Sequence, residues 1–186
     1  MLRNIIALAL FIGSAQPSFA TERYGLGRPV TQQELAAWDI DVRPDGAGLP
    51  PGKGGVLEGR RIYNEQCAGC HGEKGEGKAV FGAVDGFDRL VGGRGTLDKP
   101  NPVMTVGSFW PYATTLFDYI RRAMPFNAPE SLTADEVYAV SAYVLYLNDI
   151  IPEDAVLDSK SLPKVRMPNR DGFLTEDPRP DVRSKP

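Results

Sequence analysis

The chain has 186 residues, of which 42% are hydrophobic and 24% charged, and its net charge is −3. This mild acidity disfavours binding to nucleic acid or to an anionic membrane surface, because both attract basic surfaces. The length suits one domain with extensions, and 20 glycines and 16 prolines predict that much of the chain is loop.

The first twenty residues have the pattern of a signal peptide. Arg3 precedes a short apolar run at residues 5–12, and residues 18–20 (Ser-Phe-Ala) have the small-x-small form of a cleavage site. The apolar run is too short to span a bilayer, which disfavours the alternative of a membrane anchor. We therefore expect cleavage after Ala20, export to the periplasm and no membrane span in the mature protein.

Residues 21–53 are expected to form an irregular N-terminal extension. Within it, Thr31 and Glu34 have the spacing of a capping box, which predicts a short helix over residues 32–38. The glycines and prolines of residues 43–55 then predict turns and extended chain.

A longer helix is predicted over residues 54–66, at the start of the next segment. Val56, Gly59, Tyr63 and Cys67 share one face of it at spacings of three and four. Gly59 has no side chain and would let a partner helix cross closely, although a merely tolerated glycine is the alternative.

Residues 72–112 are rich in glycine and follow no regular period. Such a long loop is unusual in a compact domain unless it wraps something. Its scattered apolar side chains are Phe81, Phe87, Leu90, Val103, Phe109 and Trp110.

Two further helices are predicted after this loop. Thr115 and Asp118 can cap the first, and Thr133 and Glu136 form a capping box for the second. An apolar stripe marks the second helix at Val137, Val140, Val144 and Leu147. No alternating strand pattern is present, so we expect an all-α domain over residues 54–150, followed by an extended, proline-rich strap over residues 151–186.

Both cysteines and the single histidine lie in the segment Cys67-Ala68-Gly69-Cys70-His71. Cys-x-x-Cys-His is the attachment signature of c-type haem, because two thiols one helical turn apart can form thioethers with the two vinyl groups and deliver the histidine beneath the iron. The alternatives are a zinc site, a thioredoxin-like redox pair and a structural disulfide. The first lacks further ligands nearby, the second lacks a βαβ context, and the third does not need His71. One covalent haem c with His71 as the proximal ligand is therefore predicted.

The second axial ligand cannot be another histidine. Met124 is the main candidate, because it lies between two predicted helices and is followed by Pro125, which ends the helix and favours an extended backbone. Met104, Met167, a lysine and an open sixth site are the alternatives, and a packing role is the ordinary one for any methionine. Ligation by His71 and Met124 predicts electron transfer rather than oxygen chemistry.

These motifs resemble those of class I cytochromes c. The resemblance spans residues 56–149 and rests on "GRRIYNEQCAGCHG", the Met124-Pro125 pair and "AYVLYL" in the last helix. It implies a small all-α fold around one haem, with the first and last helices crossing near Gly59 and Tyr143. Such cytochromes usually have a proline carbonyl that orients the proximal histidine, but no proline lies between His71 and Pro100, so the orienting carbonyl stays open.

Four long runs also resemble the cytochrome subunits of bacterial sulfane dehydrogenase (SoxD type) and the cytochromes that accompany molybdenum sulfite dehydrogenases. They are "YGLGRPVTQQELAAWDIDVRPDGAGLPPGKG", "LVGGRGTL", "TVGSFWPYATTLFDYIRRAMPF" and "LPKVRMPNRDGF". The resemblance implies a molybdopterin-containing partner that oxidises the sulfur compound and passes electrons singly to this haem. SoxD-type subunits carry a second haem domain, whereas this chain has one attachment motif, which favours a single-haem relative serving a sulfite dehydrogenase.

Three more residues are candidates for contacts with the haem propionates. Trp110 and Tyr112 each combine an apolar ring with one donor, and Arg94 could neutralise a propionate. The alternatives are wall packing for the two rings and a solvated position for Arg94.

We therefore expect a periplasmic one-electron carrier between a molybdenum dehydrogenase and a downstream cytochrome c or oxidase. The alternatives are a general respiratory shuttle and a haem enzyme with an open sixth site.

Overall fold

The computed structural model describes residues 26–78 and 89–173, which belong to two units divided after Trp38. The predicted signal peptide and the loop residues Phe81 and Phe87 lie outside the described residues. Within the described ranges, no helix is long and apolar enough to cross a membrane.

The first unit contains helix α1 (Gln32–Trp38), which matches the predicted short helix. The backbone N–H and hydroxyl of Thr31 each donate to the Glu34 carboxylate at 2.9 Å, and the Glu34 N–H donates back to the Thr31 hydroxyl at 3.2 Å. Arg28 also pairs with Glu34, and its guanidinium together with Thr31 lowers the pKa of that carboxyl to about 2. The predicted capping box is confirmed.

The second unit is mainly helical with one small sheet. Its elements in chain order are strand β1 (Lys53–Gly55), helices α2 (Val56–Gln66), α3 (Ala68–His71), α4 (Ala113–Ala123) and α5 (Ala134–Leu147), strand β2 (Val156–Asp158), and a 3₁₀ helix, η1 (Leu162–Lys164).

Helices α2 and α5 cross at Gly59, as predicted. A Cβ at Gly59 would overlap the carbonyl oxygen of Ala139 and would approach the Cβ of Tyr143 to 2.9 Å. The ring of Tyr63, one turn later, meets the ring of Tyr143 edge-on with 5.2 Å between centroids. The absence of a side chain at Gly59 therefore sets how closely the two helices pack.

Helix α5 lies at the centre of the second unit. Its capping box is present, with Glu136 N–H donating to the Thr133 hydroxyl and Thr133 N–H donating to the Glu136 carboxylate. Nine consecutive residues, Val137–Leu145, are buried. These residues are buried on every side of the helix because α2, α4, β1 and β2 all contact it.

The predicted cap of α4 at Thr115 is wrong. The helix begins at Ala113, and its N-cap, Tyr112, makes no side-chain capping bond. Asp118 instead accepts a hydrogen bond from the backbone N–H of Val42 at 2.9 Å and pairs with Arg122 at 3.0 Å. Its carboxylate therefore attaches α4 to the chain that precedes β1.

The expected all-α fold is confirmed in part, because the unit is mainly helical but also contains a small two-stranded sheet. Strands β1 and β2 pair antiparallel, with Gly54 opposite Leu157. Gly54 also touches helix α5, because a Cβ there would overlap the backbone of Ala139. Each strand has three residues, so neither is long enough to show an alternating pattern.

The segment after residue 151, expected as a strap over the surface, contributes to the core. Leu157, Leu162 and Met167 are buried and belong to the same apolar cluster as α2, α4 and α5. Pro163 of η1 lies against Gly46, so the chain before β1 meets the chain after β2. The core thus draws on both sequence extensions, although the domain boundaries proposed from the sequence stay a prediction.

Candidate functional site

The Cys-x-x-Cys-His segment lies at the junction of two helices. Cys67 is both the last cap of α2 and the first cap of α3, and its carbonyl accepts hydrogen bonds from Cys70 N–H at 3.1 Å and His71 N–H at 2.9 Å. The segment therefore forms one tight helical turn, which is the local geometry expected from the spacing. His71 ends this turn, and its carbonyl accepts the N–H of Gly77 at 2.7 Å.

The two thiols are not joined in a disulfide, and both are half-buried. Burial, reinforced by the neighbouring Cys70, raises the pKa of the Cys67 thiol to about 11 before any attachment to haem. Among the described residues, no three His, Cys, Asp or Glu side chains are grouped so as to hold a metal ion. Two unlinked thiols one turn apart, followed directly by an imidazole, are the donor set that covalent haem c requires.

The three methionines after the first residue occupy different environments. Met124 is the C-cap of α4, has an extended backbone (φ −124°, ψ 144°) and packs half-buried against the apolar core. Met104 is 59% exposed, and Met167 is 1% exposed within the core. Met167 is therefore a packing residue, whereas Met124 combines a fixed backbone with a side chain that is not enclosed.

Arg94 is engaged with the end of α5, since its guanidinium donates to the carbonyl oxygen of Asn148. It lines an open pocket of about 320 Å³ together with Leu97 and Asn169. One bond to a carbonyl leaves other guanidinium donors available. Arg94 is thus held by one hydrogen bond and keeps N–H donors for a further partner.

Trp110 and Tyr112 lie beside the start of α4. The ring of Trp110 packs edge-on against Tyr119 with 5.8 Å between centroids, and the guanidinium of Arg170 lies 4.5 Å from the centre of the Tyr112 ring. Asn169 donates to the carbonyl oxygen of Phe109 at 2.7 Å. The segment around Trp110 is therefore held by the C-terminal segment.

Asn148 was missed by sequence reasoning, although it organises the glycine-rich loop. Its amide nitrogen donates to the carbonyls of Leu90 at 3.1 Å and Val144 at 2.9 Å, and its amide oxygen accepts the N–H of Gly92 at 3.3 Å. A Cβ at Gly107 would overlap the same amide oxygen. The only sequence signal was a polar residue just after a long apolar helix.

A second buried polar group holds the part of the loop between Gly92 and Ser108. The hydroxyl of Thr105 donates to the carbonyl of Gly92 at 2.6 Å and accepts the N–H groups of Gly107 and Ser108 at 3.1 and 3.2 Å. The hydroxyl of Ser108 donates to Val103 O at 2.7 Å. Side-chain hydrogen bonds thus replace regular secondary structure here.

Three comparisons with known proteins indicate which family this chain belongs to. The family model for the cbb3-type cytochrome c oxidase subunit III, a cytochrome domain, matches residues 54–144. The chain is similar to a cbb3-type oxidase subunit, FixP, of Rhizobium etli (32% identical over 79 residues) and to a thiosulfate dehydrogenase of Stutzerimonas stutzeri (29% identical over 126 residues). These alignments span 41% and 64% of this chain but only 24% and 36% of those two relatives.

One solved structure extends the likeness to most of the chain. A chain in the crystal structure of the sulfane dehydrogenase SoxCD from Paracoccus pantotrophus is 39% identical and superposes with a TM-score of 0.76. The match covers 88% of this chain and 80% of that one. A thiosulfate dehydrogenase from Marichromatium purpuratum matches 49% of this chain and 17% of its own at 30% identity, with a TM-score of 0.36.

Proposed function

This chain belongs to the c-type cytochromes, in the SoxD-type group, and from that premise we propose that it is a periplasmic one-electron carrier subunit for a molybdenum sulfite or sulfane dehydrogenase. In this proposal the dehydrogenase oxidises the sulfur compound and this chain passes the electrons to a downstream cytochrome c or oxidase. The observation that carries the proposal is the likeness to the sulfane dehydrogenase structure, since it covers most of both chains at 39% identity.

Covalent haem c supplies a one-electron couple between ferric and ferrous iron. We assign its covalent attachment to Cys67 and Cys70 and its proximal ligation to His71. The helical turn formed by Cys67, Cys70 and His71 supports these roles, because one short element carries all three groups.

Met124 is the proposed sixth ligand. It follows α4 directly, its backbone is extended, and its side chain packs against the core without being enclosed by it. Met167 is already used in packing and Met104 is largely exposed, so Met124 is the methionine whose surroundings best suit a rigid axial ligand. Two filled axial positions suit a carrier rather than an enzyme that binds a small oxidant.

Trp110, Tyr112 and Arg94 are proposed to contact the propionates. Trp110 and Tyr112 each keep one polar donor on a ring that is packed in place, and Arg94 retains guanidinium donors beyond the one bound to Asn148.

The axial ligand separates a carrier from a haem enzyme with an open site. In the oxidised Met124→Ala variant, we expect loss of the methionine-sulfur-to-iron charge-transfer band, because no thioether replaces the one removed. The Met104→Ala variant is the matched control and should keep the band. An unchanged spectrum in Met124→Ala would show that Met124 is not the ligand.

The identity of the electron donor distinguishes a dedicated dehydrogenase subunit from a general respiratory shuttle. Stopped-flow mixing of the ferric protein with a sulfite-reduced molybdenum dehydrogenase should reduce the haem rapidly, whereas the same dehydrogenase without sulfite should not. Slow reduction by this enzyme, together with fast reduction by an unrelated respiratory donor, would favour the general shuttle.

A further inference from the structure

Tyr63 lies in helix α2, four residues before the first cysteine, with its side chain fully buried. Its ring packs edge-on against Tyr143 in the crossing of α2 and α5. Ring packing explains an aromatic residue at this position, but it does not explain the phenol hydroxyl, which phenylalanine would lack.

The hydroxyl is bound to the residue that follows the histidine. Tyr63 Oη donates to the carbonyl oxygen of Gly72 at 2.9 Å, and the N–H of Gly75 donates to the same carbonyl at 3.3 Å. Burial raises the pKa of the phenol, so the hydroxyl keeps its proton and remains a donor. Gly72 has φ +84°, a backbone conformation in which a side chain would be strained, and a Cβ there would overlap the Glu76 carboxylate.

The backbone of His71 is thereby held on both sides. Its N–H donates to Cys67 O at 2.9 Å, its carbonyl accepts Gly77 N–H at 2.7 Å, and the next carbonyl, that of Gly72, accepts the phenol of Tyr63. The first bond lies within the helical turn, and the second comes from the loop that follows it. The third comes from the rigid crossing of α2 and α5, so it connects the histidine to the most firmly packed part of the fold.

We infer that Tyr63 is a positioning residue for the axial histidine: its hydroxyl fixes the peptide after His71 and so orients the imidazole towards the haem iron. No proline lies between His71 and Pro100 to shape this loop, and the phenol supplies a fixed point in that stretch. The inference rests on the proposed ligation by His71, because orientation matters to the iron only if that imidazole is bound to it.

The test compares Tyr63→Phe with a matched variant, Tyr138→Phe. Tyr138 is also fully buried, and its hydroxyl also donates to a backbone carbonyl at 2.9 Å, that of Pro50. Each substitution removes one buried hydroxyl and keeps the ring. Both variants should therefore show a lower denaturation midpoint, since each removes one hydrogen bond from a buried hydroxyl to a backbone carbonyl.

The discriminating measurements are the electron paramagnetic resonance g values and the haem-methyl proton shifts of the ferric protein, together with its reduction potential. These depend on the orientation and bonding of the axial ligands. We expect all three to change in Tyr63→Phe and to match the parent in Tyr138→Phe. Failure of Tyr63→Phe alone to retain covalent haem would support the same role, because the attachment turn and the histidine form one unit.

Identical spectra and potential in Tyr63→Phe and the parent would overturn the inference, and so would an equal change in both variants. The parent protein tests the underlying ligation separately. A ferric parent without a low-spin signature would refute paired axial ligation by His71 and Met124, and with it the proposed carrier, but not ligation by His71 alone. A low-spin parent with an unaltered Tyr63→Phe variant would refute only the role of Tyr63.

Discussion

At the scale of single residues, methionine side chains take different roles according to their surroundings. Met167 is enclosed among apolar side chains, Met104 is largely in solvent, and Met124 ends a helix beside the core. A thioether is soft and adaptable in all three positions, so residue type does not distinguish them. Burial and backbone conformation do, and they favour Met124 as the proposed axial ligand.

Substitution of Met167 should separate packing from ligation. Met167→Ala removes a fully buried side chain, and we expect the free energy of unfolding to fall by about 2–5 kcal/mol. The charge-transfer band of the oxidised protein should stay unchanged. Urea denaturation and the absorption spectrum of one sample measure both effects, and loss of the band in a folded Met167→Ala protein would assign the sulfur ligand to Met167 instead.

At the scale of elements, the contact between α2 and α5 depends on the missing side chain of Gly59. The backbone of Ala139 occupies the space that a Cβ would need, and the rings of Tyr63 and Tyr143 pack one turn further along. The same crossing carries the hydroxyl that holds Gly72. Helix packing and the geometry of the attachment turn are therefore linked through α2.

Gly59→Ala should force the two helices apart. We expect a loss of about 1–3 kcal/mol or more in the free energy of unfolding, because overpacking at a backbone contact cannot be relieved by a rotamer change. Gly55→Ala is the control, since a Cβ there would lie 3.5 Å from Val156, an ordinary contact. Thermal or urea denaturation of the two variants side by side tests the prediction, which equal stabilities would contradict.

Helix boundaries could be predicted where local chemistry defines them. The capping boxes of α1 and α5 were confirmed because Thr-x-x-Glu satisfies the first backbone N–H groups within four residues. The proposed cap of α4 was wrong because Asp118 forms its bonds with Val42, far away in the sequence. A carboxylate three residues after a threonine can cap the helix locally or bond to a distant segment, and the spacing alone does not distinguish these two outcomes.

At the scale of the whole molecule, contacts made by the chain up to β1 and by the chain after residue 151 complete the second unit. β1 pairs with β2, Pro163 lies against Gly46, and Asn169 binds the carbonyl of Phe109. The chain after residue 151 therefore completes the core and also holds the segment that contains Trp110. A cytochrome domain cut at residue 150 would lack these contacts.

Leu162→Ala tests whether the C-terminal segment is part of the folded unit. Leu162 is fully buried in η1, so the substitution should lower the free energy of unfolding by about 2–5 kcal/mol, in a single cooperative transition. Lys164→Ala, an exposed position in the same short helix, should change it little. A negligible effect at Leu162 would mean that the segment is not part of the cooperative core.

Cofactor chemistry and the major helices were predictable from the sequence because their signals are local. Two thiols and an imidazole within five positions specify a haem attachment turn, and repeated apolar spacing marks α2 and α5. The roles of Tyr63, Asn148 and Leu162 depended on the tertiary structure. Each role arises from a partner in another segment, and neither a three-residue strand nor a single buried hydroxyl leaves a periodic pattern along the chain.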